Sequence, residues 1–186
     1  MINEDKMVRM IKINLGKEES FRNEILSQLE KHSSVGVTTV EFLRKHNVSI
    51  KFRTKKHSAA AWTLTGNIEL NLAMNQNRKP SKDPYILSLV IHEARHLQQG
   101  LFKALSVYGE LDAWQVGFKF YKDLIGSPLD PLSEEILHLP LNWSRTELIK
   151  AAKLMKKYSP LYRIDLLPLY PLPHEIVWWV TRKEPI

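Results

Sequence analysis

The segment DPYILSLVIHEARHLQQG, from Asp83 to Gly100, constrains the fold more than any other stretch of the chain. Asp83 followed by Pro84 reads as a helix N-cap with proline at the first helical position, and Gly100 reads as the glycine that ends a helix. One helix is therefore predicted between them. Leu89 and Val90 lie just before His92, and Leu97 lies just after His96, so the histidines border the core. A chain of 186 residues, 44% of them apolar, suits one compact domain packed around such a helix.

Within that helix, His92, Glu93 and His96 spell H-E-x-x-H. Residues four apart on a helix stand one above the other, so both imidazoles can reach one ion from one rigid element. Glu93 is turned by about 100° from His92. It is poorly placed as a third ligand and well placed to flank a metal-activated water as general base. A chain of this composition contains the pattern by chance roughly 0.02 times, which favours chemistry over coincidence. The competing reading is a pair of buried, hydrogen-bonded histidines.

The chain has no cysteine. A metal must then be held by His, Asp or Glu, and a catalytic zinc needs three protein ligands. Gln99 and Phe102, three and six residues after His96, exclude the close-spaced third histidine. The next predicted helix, roughly Ser106 to Ile125 and closed by Gly126, contains YGELDAWQVGFKF. Gly109, Ala113 and Gly117 repeat every four residues and form a ridge that admits a close neighbour. Glu110 borders that ridge, and Asp112 points about 200° around the helix from it. The ridge favours Glu110 as the third ligand.

H-E-x-x-H followed one helix later by E-x-x-A, here ELDA, resembles the gluzincin group of zinc metallopeptidases, above all its minimal prokaryotic members. The specific match runs from about Ile68 to Phe120. The resemblance implies a zinc-dependent peptidase of zincin-like α+β fold, with His92, His96 and Glu110 as metal ligands and Glu93 as base. It also implies that IELNLAM is an edge strand to which an extended peptide or protein substrate adds. One departure is Trp114, which stands where many gluzincins place an acid. The group that orients the ligand histidines must then come from elsewhere, with Asn71, Asp112 and Asp123 as candidates. Tyr108, His174 and Tyr170 are candidates for stabilising an oxyanion. His174-Glu175 is followed by Trp178 and makes no second zinc motif.

Hydrophobic periodicity supplies the remaining elements. Phe21, Ile25, Leu26 and Leu29 mark a helix from about Glu18 to Lys31, broken by SSVGV, and TTVEFLRKH marks a second with Thr38 or Thr39 as cap. VSIKFR alternates as a strand. AAWTLTGNIELNLAMN reads as a hairpin, with Trp62 and Leu64 on one arm, Ile68, Leu70 and Leu72 on the other, and Gly66-Asn67 at the turn. Three locally connected strands predict a small, mostly antiparallel sheet beside the active-site helix. Residues 1–127 are thus expected to form the catalytic domain. Residues 128–186 are expected to form a proline-rich helical extension packed on it, with one clear helix, SRTELIKAAKLMKKY, capped by Ser144 and Glu147. LLPLYPLPHEIVWW is expected to be extended.

The net charge is +7. Arg44, Lys45, Lys51, Arg53, Lys55 and Lys56 form one basic cluster, and Lys150, Lys153, Lys156 and Lys157 form another. No nucleic-acid motif accompanies them, so a solvated surface is favoured over nucleic-acid binding. The alternative to a peptidase is a non-catalytic zincin-like module that recognises a protein or nucleic acid through this basic face or through Trp178 and Trp179. The N-terminus lacks the apolar core of a signal peptide, and no apolar run spans a membrane, so a cytoplasmic location without membrane contact is expected.

Overall fold

A computed structural model describes residues 19–53, 58–71 and 82–185. The chain opens with helix α1 (19–32), which buries Ile25, Leu26 and Leu29. Helix α2 (Ser34–Lys45) follows after a single residue. Its cap is Ser33, which accepts the Gly36 N–H, and not Thr38 or Thr39. The SSVGV break is therefore a corner rather than a loop. Gly36 makes the corner possible, since a Cβ there would lie 2.0 Å from the Leu29 carbonyl oxygen.

Strands β1 (Ile50–Arg53), β2 (Ala60–Trp62) and β3 (Ile68–Asn71) form one sheet in the order β1-β3-β2. β2 and β3 are the expected antiparallel hairpin, with Ala60 opposite Leu70 and Trp62 opposite Ile68. β1 joins the far edge of β3 in parallel, with Ile50 opposite Ile68. The sheet is therefore mixed. β3, expected at an edge, is its central strand, because its outer edge gains β1 as a partner. Leu64 sits in the turn and is exposed instead of facing inward. Leu72 and the rest of IELNLAM beyond Asn71 lie outside the described residues.

Helix α3 (Pro84–Gln99) has the predicted ends: the Asp83 side chain accepts the Tyr85 N–H, and Gly100 follows the last residue. After a one-turn helix, α4 (Leu101–Ala104), comes α5 (Val107–Ile125), capped by Ser106 and stopped by Gly126. α3 and α5 share the most extensive contact between helices, and each also faces its own apolar cluster. α3 packs with α1, α2 and the sheet around Leu43, Ile50, Leu70 and Ile86. α5 packs Leu111 and Trp114 against Ile136, Leu148, Met155 and Tyr170 of the C-terminal segment.

That segment holds more helix than expected. Asp130 and Ser133 cap α6 (Pro131–Leu137) reciprocally. Helix α7 (Arg145–Tyr158) begins after Ser144, whose side chain makes no capping bond, while Glu147 pairs with Lys150. A 3₁₀ turn (Ile164–Leu166) leads to α8 (Leu172–Thr181), where an extended tail was expected. The prolines explain the difference. Pro171 is the N-cap and Pro173 lies in the first turn, positions where a missing N–H breaks no helical bond. Among the described residues no helix is long and apolar enough to cross a membrane.

Candidate metal centre

α3 and α5 bring His92, His96 and Glu110 together. The imidazole Nε2 atoms stand 3.1 Å apart, Glu110 Oε1 lies 3.4 Å from His96 Nε2, and Glu110 Oε2 lies 3.9 Å from His92 Nε2. Donor atoms about 2.1 Å from one tetrahedral ion stand about 3.4 Å from each other. The observed spacings bracket that value, so this group can hold a metal ion. Two imidazoles and one carboxylate suit a borderline metal such as zinc, and three protein donors beside a cavity match the ligand count of catalytic rather than structural sites. His96 and Glu110 are almost fully buried, whereas the His92 side chain keeps 16% of its surface, on the cavity side.

The small-residue ridge sets these distances. A Cβ on Gly117 would lie 3.1 Å from the Ser88 carbonyl oxygen and 3.3 Å from His92 Cβ, so α5 touches α3 at the first ligand. The Ala113 carbonyl accepts from the His92 ring. Glu110, one turn earlier, then faces both histidines. Asp112 points away and pairs with Arg95 and Lys103.

Polar neighbours hold each ligand. Glu110 Oε2 accepts the Trp114 indole N–H at 3.1 Å, and Oε1 accepts the Tyr162 hydroxyl. Trp114 thus supports the Glu110 carboxylate from one turn further along the same helix. His96 Nδ1 meets Gln99 Oε1 at 3.2 Å, and Gln99 donates to Asp112 and to the Gly109 carbonyl. Of the three orienting candidates, only Asp112 reaches the centre, through Gln99. The buried Asn71 donates to the Ser58 carbonyl, and Asp123 pairs with Lys119 on the surface.

Protonation follows from this packing. Burial, with His96 alongside, pushes His92 down to about 3, so it is a neutral imidazole at ordinary pH. Burial also opposes charge on His96, but contact with Glu110 outweighs it and raises that histidine. Burial would raise Glu110, yet the two histidines and the Tyr162 hydroxyl hold it below the usual carboxylate range. Burial and Glu110 push the Tyr162 phenol up, so it remains a donor. With His96 raised and Glu110 lowered, a cation binding here would compete with a proton on His96.

A cavity of about 440 Å³ opens beside the centre. One wall is β2. The Ala59 carbonyl accepts from Asn71 and the Thr63 N–H donates to Asn67, so alternate residues Ala60 and Trp62 direct their backbone groups away from β3. The Trp62 N–H donates to Glu93 Oε2 at 2.8 Å. Glu93 therefore spans from the outer edge of the sheet to the ligand cluster. The opposite wall contains Tyr158, Ser159 and Tyr162 from the C-terminal segment.

The three oxyanion candidates lie elsewhere. Tyr108 and His174 stack on Trp143 around a separate cavity, and Tyr170 donates to the Trp143 carbonyl. Sequence reasoning missed Tyr162 and Gln99. Gln99 carried a signal, since it follows His96 by three residues on the same helix face. Of the basic clusters, Arg44 pairs with Glu30, Lys150 with Glu147 and Lys156 with Asp165, while Lys55 and Lys56 lie outside the described residues. Compared with protein-family models, curated proteins and solved structures, the chain matches none.

Proposed function

We propose that the protein is a zinc-dependent, zincin-like peptidase of gluzincin type. One observation carries the reading: three donors at the spacing of a tetrahedral ion lie beside a cavity whose wall includes two of them, His92 and His96, together with Glu93, a carboxylate tied to an outward-facing strand edge. His92, His96 and Glu110 would hold a zinc ion, which would supply Lewis acidity, lowering the pKa of a water to roughly 7 and polarising a carbonyl. Glu93 accepts the proton of the attacking water and passes it to the departing amide nitrogen. The Ala60 N–H and C=O offer ladder bonds to an extended peptide laid along β2. β2 takes the substrate-binding part first assigned to IELNLAM, because β3 has a strand on both edges. Trp114 and Tyr162 fix the Glu110 carboxylate, and Gln99 fixes the His96 ring.

The purified protein should contain about one zinc per chain, as one three-donor cluster requires. Glu93→Gln should keep that zinc and lose at least about 100-fold in hydrolysis of an unfolded protein substrate. A chain that binds no zinc without chelators present, or a fully active Glu93→Gln variant, refutes the proposal.

A further inference from the structure

The cavity differs chemically from the rest of the molecule. The chain carries 27 lysines and arginines, yet among the described residues no lysine, arginine or aspartate lines this cavity. Its ionisable wall groups among the described residues are the tyrosines, Glu93, His92 and His96. Away from the centre the walls are Tyr85, Leu89, Trp114, Phe118 and Tyr158. The rings of Trp114, Phe118 and Tyr158 pack on one another, with centroids 5.1 to 5.6 Å apart. Their polar tips are engaged: the Trp114 N–H by Glu110, and the Tyr158 hydroxyl by Asp130, which is not part of the wall. The walls therefore present ring faces and edges.

From this we infer that the cavity binds a large apolar side chain, aromatic by preference, of the peptide aligned on β2, and that Phe118 helps set this specificity. That the occupant is a peptide rests on the peptidase reading. The volume is ample: about 150 Å³ of apolar cavity holds a benzene ring, and this cavity measures about 440 Å³. Aromatic walls favour an aromatic guest, each ring pair contributing beyond its buried area. A lysine side chain would lose its hydration with no partner except Glu93, whose Oε2 already accepts the Trp62 N–H. Away from the histidines, a glutamate side chain would meet no lysine or arginine among the described wall residues, and it would lie near Glu93.

The test uses full-length Glu93→Gln, which binds peptide without cleaving it, and capped tetrapeptides Ala-Ala-X-Ala with X as Phe, Leu, Lys or Glu. Calorimetry gives the affinities, and metal analysis runs in parallel. The Phe peptide should bind about tenfold tighter than the Lys and Glu peptides, with Leu between them. Phe118→Ala should cost the Phe peptide about fivefold while zinc content stays unchanged. If that variant does not fold, Phe118→Leu keeps the wall apolar and should lose about twofold. Equal affinities, no measurable binding, tightest binding by the Lys peptide, or unchanged Phe affinity in the folded Phe118 variant each overturn the inference. The two readings fail separately. Aromatic preference in a chain that binds no zinc sinks the peptidase and keeps the subsite, whereas zinc-dependent hydrolysis indifferent to X does the reverse.

Discussion

Tyr162→Phe removes one oxygen and keeps the ring. Glu110 is 2% exposed and receives the Tyr162 hydroxyl on one carboxylate oxygen and the Trp114 N–H on the other. A hydrogen bond to a charged group contributes about 1.5–3 kcal/mol, and its loss leaves a buried oxygen short of a donor. In a chain of this size each kcal/mol moves the melting temperature by about 2–4 °C, so the metal-free variant should melt roughly 3–12 °C lower. If Glu110 holds zinc as proposed, the same hydroxyl orients that carboxylate, and its loss should weaken zinc binding by about 10- to 100-fold. Because the phenol is pushed above its usual range, it donates throughout the working pH range, and the deficit should not vary between pH 6 and about 9. Thermal denaturation of the chelated protein and a competition titration against a chromogenic chelator measure the two effects. A Phe variant that melts with the wild type and holds zinc equally well refutes the role given to Tyr162.

Zinc affinity should rise with pH across neutrality, because His96 is raised and must lose its proton to bind; calorimetry in buffers of different ionisation enthalpy should detect the released proton, and pH-independent affinity would contradict the pairing with Glu110. Asp112 opposes its own burial with bonds from Arg95, Gln99 and Lys103 that hold its carboxyl below the ordinary range. Its stabilising contribution is complete above the unfolded value near 4 and is lost as pH falls toward the lowered folded one, so Asp112→Asn should cost about 2 kcal/mol at pH 7 and progressively less below about pH 4, by urea denaturation. Gly117→Ala places a Cβ against Ser88 and His92 and should destabilise by about 1–3 kcal/mol while loosening zinc binding; an unaffected variant would show that the two helices can separate freely there.

The helix that carries His92 and His96 was legible because its limits are local chemistry: Asp83, Pro84 and Gly100 act on their own neighbours. Glu110 was separable from Asp112 by rotation alone, and the ridge of Gly109, Ala113 and Gly117 showed which way that helix faces. The sheet order was not legible. β1 pairs with β3 across an intervening strand, and no periodicity within β1 encodes that partner. Ser144 and Glu147 have the spacing of a capping box, yet Lys150 takes the glutamate. The prolines before α8 suggested extension because their cost depends on helix position, which the sequence pattern alone leaves open. Tyr162 lies 52 residues from the carboxylate it supports, and only the folded chain brings them together.

That separation has a consequence for how the protein comes into being. Synthesis proceeds from the N-terminus, at about 5–20 residues per second. Both histidines and Glu110 have been made before any of Tyr158, Ser159 or Tyr162 exists. The ligand set thus precedes the far wall of the cleft and the hydroxyl that steadies Glu110. The cavity between β2 and the C-terminal segment is complete only once the final quarter of the chain has folded back onto α5.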